Sequence, residues 1–229
     1  MRHTPRKRFG QNFLVDESVI QNIMGAIAPA AHDRFVEIGP GLGALTRPLL
    51  RRAFDFAALA EGEMLRVVGN LPYNISTPLL FHLLDQTGTI RDMHFMLQKE
   101  LVERLDAGPG SKLWGRLGVM TAARADASCL FTVPSDAFRP APKVESAVVR
   151  IVPRALSETE KKRLPALEAI VRKAFGQRRK TLRNTLDGMI SAGQLEDAGI
   201  DPGQRAESVS LAQFCRLADQ FIARQTNRP

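Results

Sequence analysis

Phe35-Val36-Glu37-Ile38-Gly39-Pro40-Gly41-Leu42-Gly43 is a short β-type run that closes on glycines at alternate positions. The helical stretch Ala44–Arg52 follows, with Leu45, Leu49 and Leu50 giving it an apolar side that expects a sheet beneath it. Strand, tight turn, helix is the opening of a βαβ unit, and the pattern continues downstream. Leu65–Val68 reads as a strand ending on Gly69-Asn70-Leu71-Pro72-Tyr73, and Ser76–Leu84 reads as a helix capped by Ser76 or Thr77, with Pro78 early. Met93–Leu97 is a buried-type strand, and Cys129–Val133 with Ala147–Val152 suggest an antiparallel pair at a sheet edge. Upstream, Val19, Ile20, Ile23, Met24 and Ile27 recur at helical spacing behind Asp16, a candidate cap. Alternation of strand and helix as far as Pro153 predicts a doubly wound α/β domain over residues 1–153, with helices on both faces of its sheet. From Leu156 the pattern changes. Leu164, Leu167, Ile170, Val171 and Phe175, then Leu211, Phe214, Cys215, Leu217, Ala218 and Phe221, follow helical periods with no strand between them. Residues 154–229 are therefore expected to form a small all-helical domain.

Hydrophobic residues make up 44 % of the 229, so the chain supports a real core. The net charge is +8, and it is clustered. Arg2, Arg6, Lys7 and Arg8 stand without an acid among the first nine residues, and Arg178-Arg179-Lys180 with Arg183 form a second knot. Such clusters suit a polyanion, nucleic acid or an anionic membrane surface, and equally a solubilising face. Two cysteines and four scattered histidines suggest neither a disulfide scaffold nor a metal site. No apolar run reaches membrane-span length, and the basic N-terminus lacks the features of a secretion signal, so a reducing cytoplasm is the expected home.

Glycines after a strand let a ligand lie against bare backbone while the next helix turns its positive end toward an anion. The spacing here is G-x-G-x-G, with Glu37 two positions before the first glycine, rather than the G-x-G-x-x-G of dinucleotide enzymes. That form is typical of S-adenosylmethionine sites, the anion being the methionine carboxylate; a tight turn without ligand is the alternative. Asn70-Leu71-Pro72-Tyr73 is similar to the N-P-P-Y signature of enzymes that methylate exocyclic amines of bases. The N6 amine of adenine is a poor nucleophile because its lone pair is delocalised into the ring. The Asn70 side-chain oxygen and the Leu71 carbonyl are suited to accept its two N–H bonds, which favours a pyramidal nitrogen. Tyr73 offers a face on which an extruded base stacks. The alternative is a polar strand terminus with a proline turn. Arg6-Lys7-Arg8-Phe9-Gly10-Gln11-Asn12-Phe13-Leu14 reads as a lid over a ligand, or as an arm packed on the sheet.

Six blocks occur in a telling order: R-K-R-F-G-Q-N-F-L, V-E-I-G-P-G-L-G, G-N-L-P-Y-N-I-S-T-P, M-H-F-M-L-Q-K-E, F-R-P-A-P-K-V-E-S-A-V and A-F-G-Q-R-R-K-T-L-R-N. Over residues 6 to about 220 the chain resembles the ribosomal RNA adenine dimethyltransferases, most closely the bacterial small-subunit enzymes of the kasugamycin-resistance family. The resemblance implies an S-adenosylmethionine site using Gln11, Asn12, Leu14, Glu37, Gly39, Gly41 and Asn70. It implies a target pocket of Asn70, Leu71, Pro72 and Tyr73, with Phe138 either the second aromatic beside the base or a loop anchor. It also implies a monomer acting on a late small-subunit precursor, with Arg6, Lys7, Arg8, Arg178, Arg179, Lys180 and Arg183 against the RNA.

The pattern breaks once. In this fold an acid ending the second strand, about 20 residues beyond the glycines, holds the cofactor's ribose. A second acid, ending the third strand, is expected at the cofactor's adenine. Leu49-Leu50-Arg51-Arg52 instead runs straight into Ala53-Phe54-Asp55-Phe56; Glu61 is at about the right distance from Gly39 for the ribose acid but follows no strand-like run, and Asp55 falls slightly past the place of the adenine-binding acid. About 30 residues of strand, helix and strand are missing. A sheet short of two strands is unfavourable, so the expectation is an intact molecule several kDa heavier than 25.3 kDa, its extra residues lying between about Arg51 and Phe54. Three further readings stay open: a non-catalytic RNA-binding assembly or transcription factor of the same fold, a DNA adenine methylase, and, disfavoured by glycine spacing, a nicotinamide dehydrogenase.

Overall fold

The computed structural model describes residues 12–40, 44–45, 48, 64–71, 76–85 and 89–226. Its strands are β1 (Phe13–Leu14), β2 (Arg34–Ile38), β3 (Leu65–Asn70), β4 (Ile90–Gln98), β5 (Ala125–Val133), β6 (Phe138–Arg139) and β7 (Ser146–Pro153). Its helices are α1 (Glu17–Ile27), α2 (Ser76–Leu84), α3 (Lys99–Asp106), α4 (Arg116–Ala122), α5 (Glu158–Ala174), α6 (Leu182–Thr185), α7 (Ala192–Asp197) and α8 (Leu211–Thr226).

Packing divides the chain into two units, Met1–Glu103 with Ala125–Arg154, and Arg104–Arg124 with Ala155–Pro229. The first holds a five-stranded mixed sheet in the order β2-β3-β4-β7-β5, with helices on both sides. β2, β3 and β4 run parallel, whereas β7 is antiparallel to both β4 and β5. The expected antiparallel pair is therefore present as β5 and β7, with β5 at the edge and a register shift between Cys129 and Phe131. α1 starts where the sequence suggested. The Asp16 carboxylate accepts from the Ser18 and Val19 amides at 2.9 and 3.1 Å, satisfying two of the helix's unpaired first-turn donors. Val19, Ile20, Ile23, Met24 and Ile27 form its buried face, in one core with Val68, Met96 and Val148 from the sheet. Side chains of this size contribute about 1.5–3 kcal/mol each when fully buried. Ser76 and Thr77 both fall inside α2 rather than before it.

A buried ionic cluster ties β3 and β4 to the loop after α1. Arg66 grips Asp92 with Nε and a terminal nitrogen at 2.8 and 2.9 Å, donates to Asp33 at 2.7 Å, and caps the Ile27 carbonyl at 2.7 Å. Its guanidinium also lies 5.3 Å from the Phe35 ring centroid. Burial alone would raise the Asp33 pKa, but hydrogen bonds from the Ala30 amide and Arg66 outweigh it and hold the carboxyl below its ordinary value.

The second unit is helical. Leu167, Ile170, Val171 and Ala174 of α5 and Phe214, Leu217 and Ala218 of α8 are buried, and the two helices pack together. α5 opens with a reciprocal Ser157–Glu160 capping box. Residues 104–124 join this unit, whereas the sequence reading placed them in the first domain. Long-range bonds decide the matter: buried Trp114 donates Nε1 to the Val209 carbonyl at 2.9 Å, the Gly110 amide donates to the Glu207 carbonyl at 2.8 Å, and Arg116 pairs with Glu168 at 2.9 Å. Local apolar spacing carries no information about which core a segment will join.

Candidate active site

The site lies at the carboxyl ends of β2 and β3, where open α/β sheets place their ligands. β2 pairs with β3 from Arg34↔Leu65 to Ile38↔Gly69, so the turn after Ile38 and the residues after Gly69 emerge side by side. Gly39 has φ +69, a left-handed conformation in which other residues are strained, and Asn70 O lies 4.0 Å from where its Cβ would be. At Gly69 a Cβ would stand 2.7 Å from the Ile38 carbonyl oxygen. Glycine there permits the close approach of the two strand ends.

Asn70 closes β3, and its Nδ2 donates to the Asn12 backbone carbonyl at 3.1 Å. That bond orients the amide and leaves Oδ1 as the side chain's acceptor. Leu71 is buried, with its amide donating to the Met96 carbonyl at 3.2 Å. Leu14 is buried, and β1 pairs with β6 by Phe13↔Arg139 and Leu14↔Phe138. The N-terminal segment from Asn12 is thus fastened beside Asn70. Glu37 lies in β2 opposite Val68 and is half-buried. Gln11, Gly41, Pro72, Tyr73, Arg6, Lys7 and Arg8 lie outside the described residues.

Phe138 is fully buried, in the same core as Leu14, Ile20 and Met96, a setting that favours its reading as a loop anchor.

In the second unit Arg178, Arg179, Lys180 and Arg183 are all exposed, and among the described residues no acid pairs with them. The segment is held from behind: the Leu182 amide donates to the Gln204 carbonyl at 2.8 Å and the Arg183 amide to that of Pro202 at 3.0 Å. Exposed Lys112 belongs beside this knot, since Arg178 reaches its carbonyl at 3.4 Å. The sequence reading missed Lys112, because 66 residues separate the two. No group of His, Cys, Asp and Glu among the described residues could hold a metal ion, and no helix among them is long and apolar enough to cross a membrane.

A mixed α/β sheet whose glycine turn and Asn-Leu strand end share one edge defines a Rossmann-like methyltransferase. The Ribosomal RNA adenine dimethylase family model matches residues 2–61 and 53–223. The chain belongs to that family. A Ribosomal RNA small subunit methyltransferase A from Methylococcus capsulatus is 51 % identical over 256 positions, covering 96 % of this chain and 99 % of the relative. Its counterpart from Legionella pneumophila (strain Lens) is 49 % identical, covering 97 % and 100 %. Among solved structures, a dimethyladenosine transferase from Plasmodium falciparum superposes with TM-score 0.78 at 20 % identity, over 93 % of this chain and 98 % of that one. The 23S rRNA methyltransferase ErmE gives 0.69 at 25 %, over 92 % and 100 %.

The same comparisons agree that a segment of the family's length is missing from this chain. The Methylococcus alignment has 256 positions, but 96 % of 229 residues is about 220, so about 36 positions have no counterpart here. The two family matches meet within residues 53–61. The 229-residue chain is continuous through Arg51 and Phe54, so the shortfall belongs to the sequence itself.

The residues present fit one end of S-adenosylmethionine, the cofactor the family implies. The Gly39 turn and the Asn12–Asn70 pair form a cradle suited to the methionine end. The strand whose end would supply the ribose-binding acid has no counterpart among the described residues.

Proposed function

We propose that this chain dimethylates N6 of two adjacent adenosines in a hairpin near the 3′ end of small-subunit ribosomal RNA, acting as a monomer on a late precursor of the subunit in the cytoplasm. The observation that carries this reading is the Asn70 amide at the end of β3, oriented by the Asn12 carbonyl beside the Gly39 turn. The family membership and the names of the relatives support it.

Asn70 Oδ1 and the Leu71 carbonyl accept the two N6 hydrogens and turn the nitrogen lone pair toward the methyl donor. When bound, S-adenosylmethionine supplies an electrophilic methyl group. Asn12, Leu14, Glu37 and Gly39, with Gln11 and Gly41, line the cofactor side. Pro72 and Tyr73 complete the target pocket, with Tyr73 stacking on the base. No strong base is needed, since the alkylated nitrogen is acidic and loses its proton readily. Rate comes from alignment, an effect that supplies roughly 7–11 kcal/mol at best. Arg178, Arg179, Lys180 and Arg183, with Lys112 beside them and Arg6, Lys7 and Arg8 on the arm, neutralise RNA phosphates.

The test is incubation of the full chain with methyl-labelled cofactor and unmethylated small subunits, followed by nucleoside analysis. Label in dimethyladenosine supports the reading; its absence from adenine overturns the activity. The shortfall near residues 53–61 favours a second reading, a non-catalytic assembly factor, which expects salt-sensitive subunit binding with no cofactor heat at all.

A further inference from the structure

Among the described residues β2 is paired along one side only, by β3, and Val36 in the middle of β2 is 41 % exposed. Just 26 residues, 39–64, connect Ile38 to Leu65. One parallel crossover takes a dozen or more residues, so three crossovers with two intervening strands of about five residues need about 45. The connection is long enough for one crossover and too short for three. The two family matches overlap at residues 53–61, within this connection.

In open α/β sheets the acid that holds a cofactor's ribose ends the strand beside the glycine turn, on the side away from the rest of the site. That place adjoins the side of β2 opposite β3. The other half of the cradle is intact: the left-handed Gly39, the buried Leu14, and Asn70 fixed to Asn12. Among the described residues, the amino-acid side of the cradle is present and no strand pairs with β2 on the ribose side.

We infer that this chain holds the cofactor by its amino-acid end alone, with the ribose hydroxyls unrecognised. The inference rests on the methyltransferase reading of the site and specifies which part of the ligand the chain distinguishes. A hydrogen-bonded carboxylate normally makes the two hydroxyls count for about tenfold or more in affinity. Here their contribution is expected to vanish.

Calorimetry on the full chain tests this with three probes: S-adenosylhomocysteine, its 2′,3′-dideoxy analogue, and methylthioadenosine, which lacks the amino-acid end. The expected result is a Kd for the dideoxy analogue within about threefold of that for S-adenosylhomocysteine, with methylthioadenosine weaker by about a hundredfold or more. A dideoxy analogue about tenfold weaker overturns the inference, because some group then grips the ribose. Tight methylthioadenosine binding, or no heat from S-adenosylhomocysteine at millimolar concentration, overturns it too. The labelling of adenine in subunits is scored separately, so failure of the methyltransferase reading is distinguishable from failure of this one.

Discussion

The side-chain amide of Asn70, the last residue of β3, is bonded to the backbone carbonyl of Asn12 at 3.1 Å, across 58 positions of sequence. One hydrogen bond therefore couples the end of β3 to the segment entering α1. It gives Asn70 one orientation, with the nitrogen inward to Asn12 and the oxygen remaining as the acceptor. Asn70→Ala is expected to lower the methylation rate at saturating cofactor by at least about tenfold while subunit binding persists, because the interaction matters most in the transition state. Single-turnover labelling of subunits checks it, and near-normal turnover would remove Asn70 from the reaction.

Gly69 precedes it, and the space there is taken by backbone. A methyl group at this position would stand 2.7 Å from the Ile38 carbonyl oxygen and 3.1 Å from a Leu71 methyl carbon. Gly69→Ala must push the ends of β2 and β3 apart, at a cost of about 1–3 kcal/mol. The expected pattern is a lower urea midpoint together with a loss of activity larger than the loss of folded protein. An unchanged midpoint would show that the strand ends yield freely.

Much of this was legible beforehand, for a physical reason. α1, its Asp16 cap and the strands of the sheet announce themselves through local spacing, and the glycine and Asn-Leu turns depend on residue types that only a few backbone conformations demand. What stayed hidden depends on residues far apart in the chain. Nothing local in Arg66 or Asp92 reveals that they pair in the interior, and nothing near Lys112 points to Arg178. Phe138 shows the same limit from the other side, since an aromatic in a proline-rich loop reads equally as a stacking platform or an anchor until its burial is known.

The basic knot of the second unit invites a salt titration. Arg178, Arg179 and Lys180 are exposed and unmatched by acids among the described residues. Replacing all three with alanine should weaken subunit binding and reduce the slope of log affinity against log salt by about one for each phosphate no longer neutralised. Filter binding at several salt concentrations measures both quantities. A parallel line of unchanged slope would mean that the knot is a solvated face.

Arg66 is the centre of the ionic cluster, and its removal leaves two carboxylates, Asp33 and Asp92, without their main partner. Breaking a buried pair from one side costs about 3–5 kcal/mol, since the remaining charge stays desolvated. Arg66→Ala should therefore lower the urea midpoint by more than any of the surface changes above. The double change Arg66→Met with Asp92→Leu should recover part of the loss, because it removes both charges and keeps the volume. Equal midpoints for Arg66→Ala and the parent chain would show that the cluster contributes nothing to stability.

His94 provides the pH dependence. Its ring is buried, with Nδ1 3.8 Å from Asp92 Oδ1, and Arg66 and Arg150 are the nearby cations. Burial is the strongest influence and pushes its pKa down from 6.5 to about 4; the two arginines act in the same direction, and Asp92 opposes them. Above pH 6.5 the imidazole is neutral in both the folded and unfolded chain, so it contributes no pH slope. Between 6.5 and about 4 the unfolded chain takes up a proton that the folded chain refuses, and stability falls as the pH falls. Asp33 acts lower on the scale: its folded pKa is depressed below 3.8, so its contribution is lost only as the pH falls beneath that value. The two effects are separable. Urea midpoints measured from about pH 7.5 to 4.5 should decline in the parent chain, and the decline should be shallower in His94→Gln, which keeps a polar side chain but does not titrate. Identical slopes in the two proteins would mean that His94 is protonated in the folded state as readily as in the unfolded one, and that Asp92 offsets the cost of burial in full.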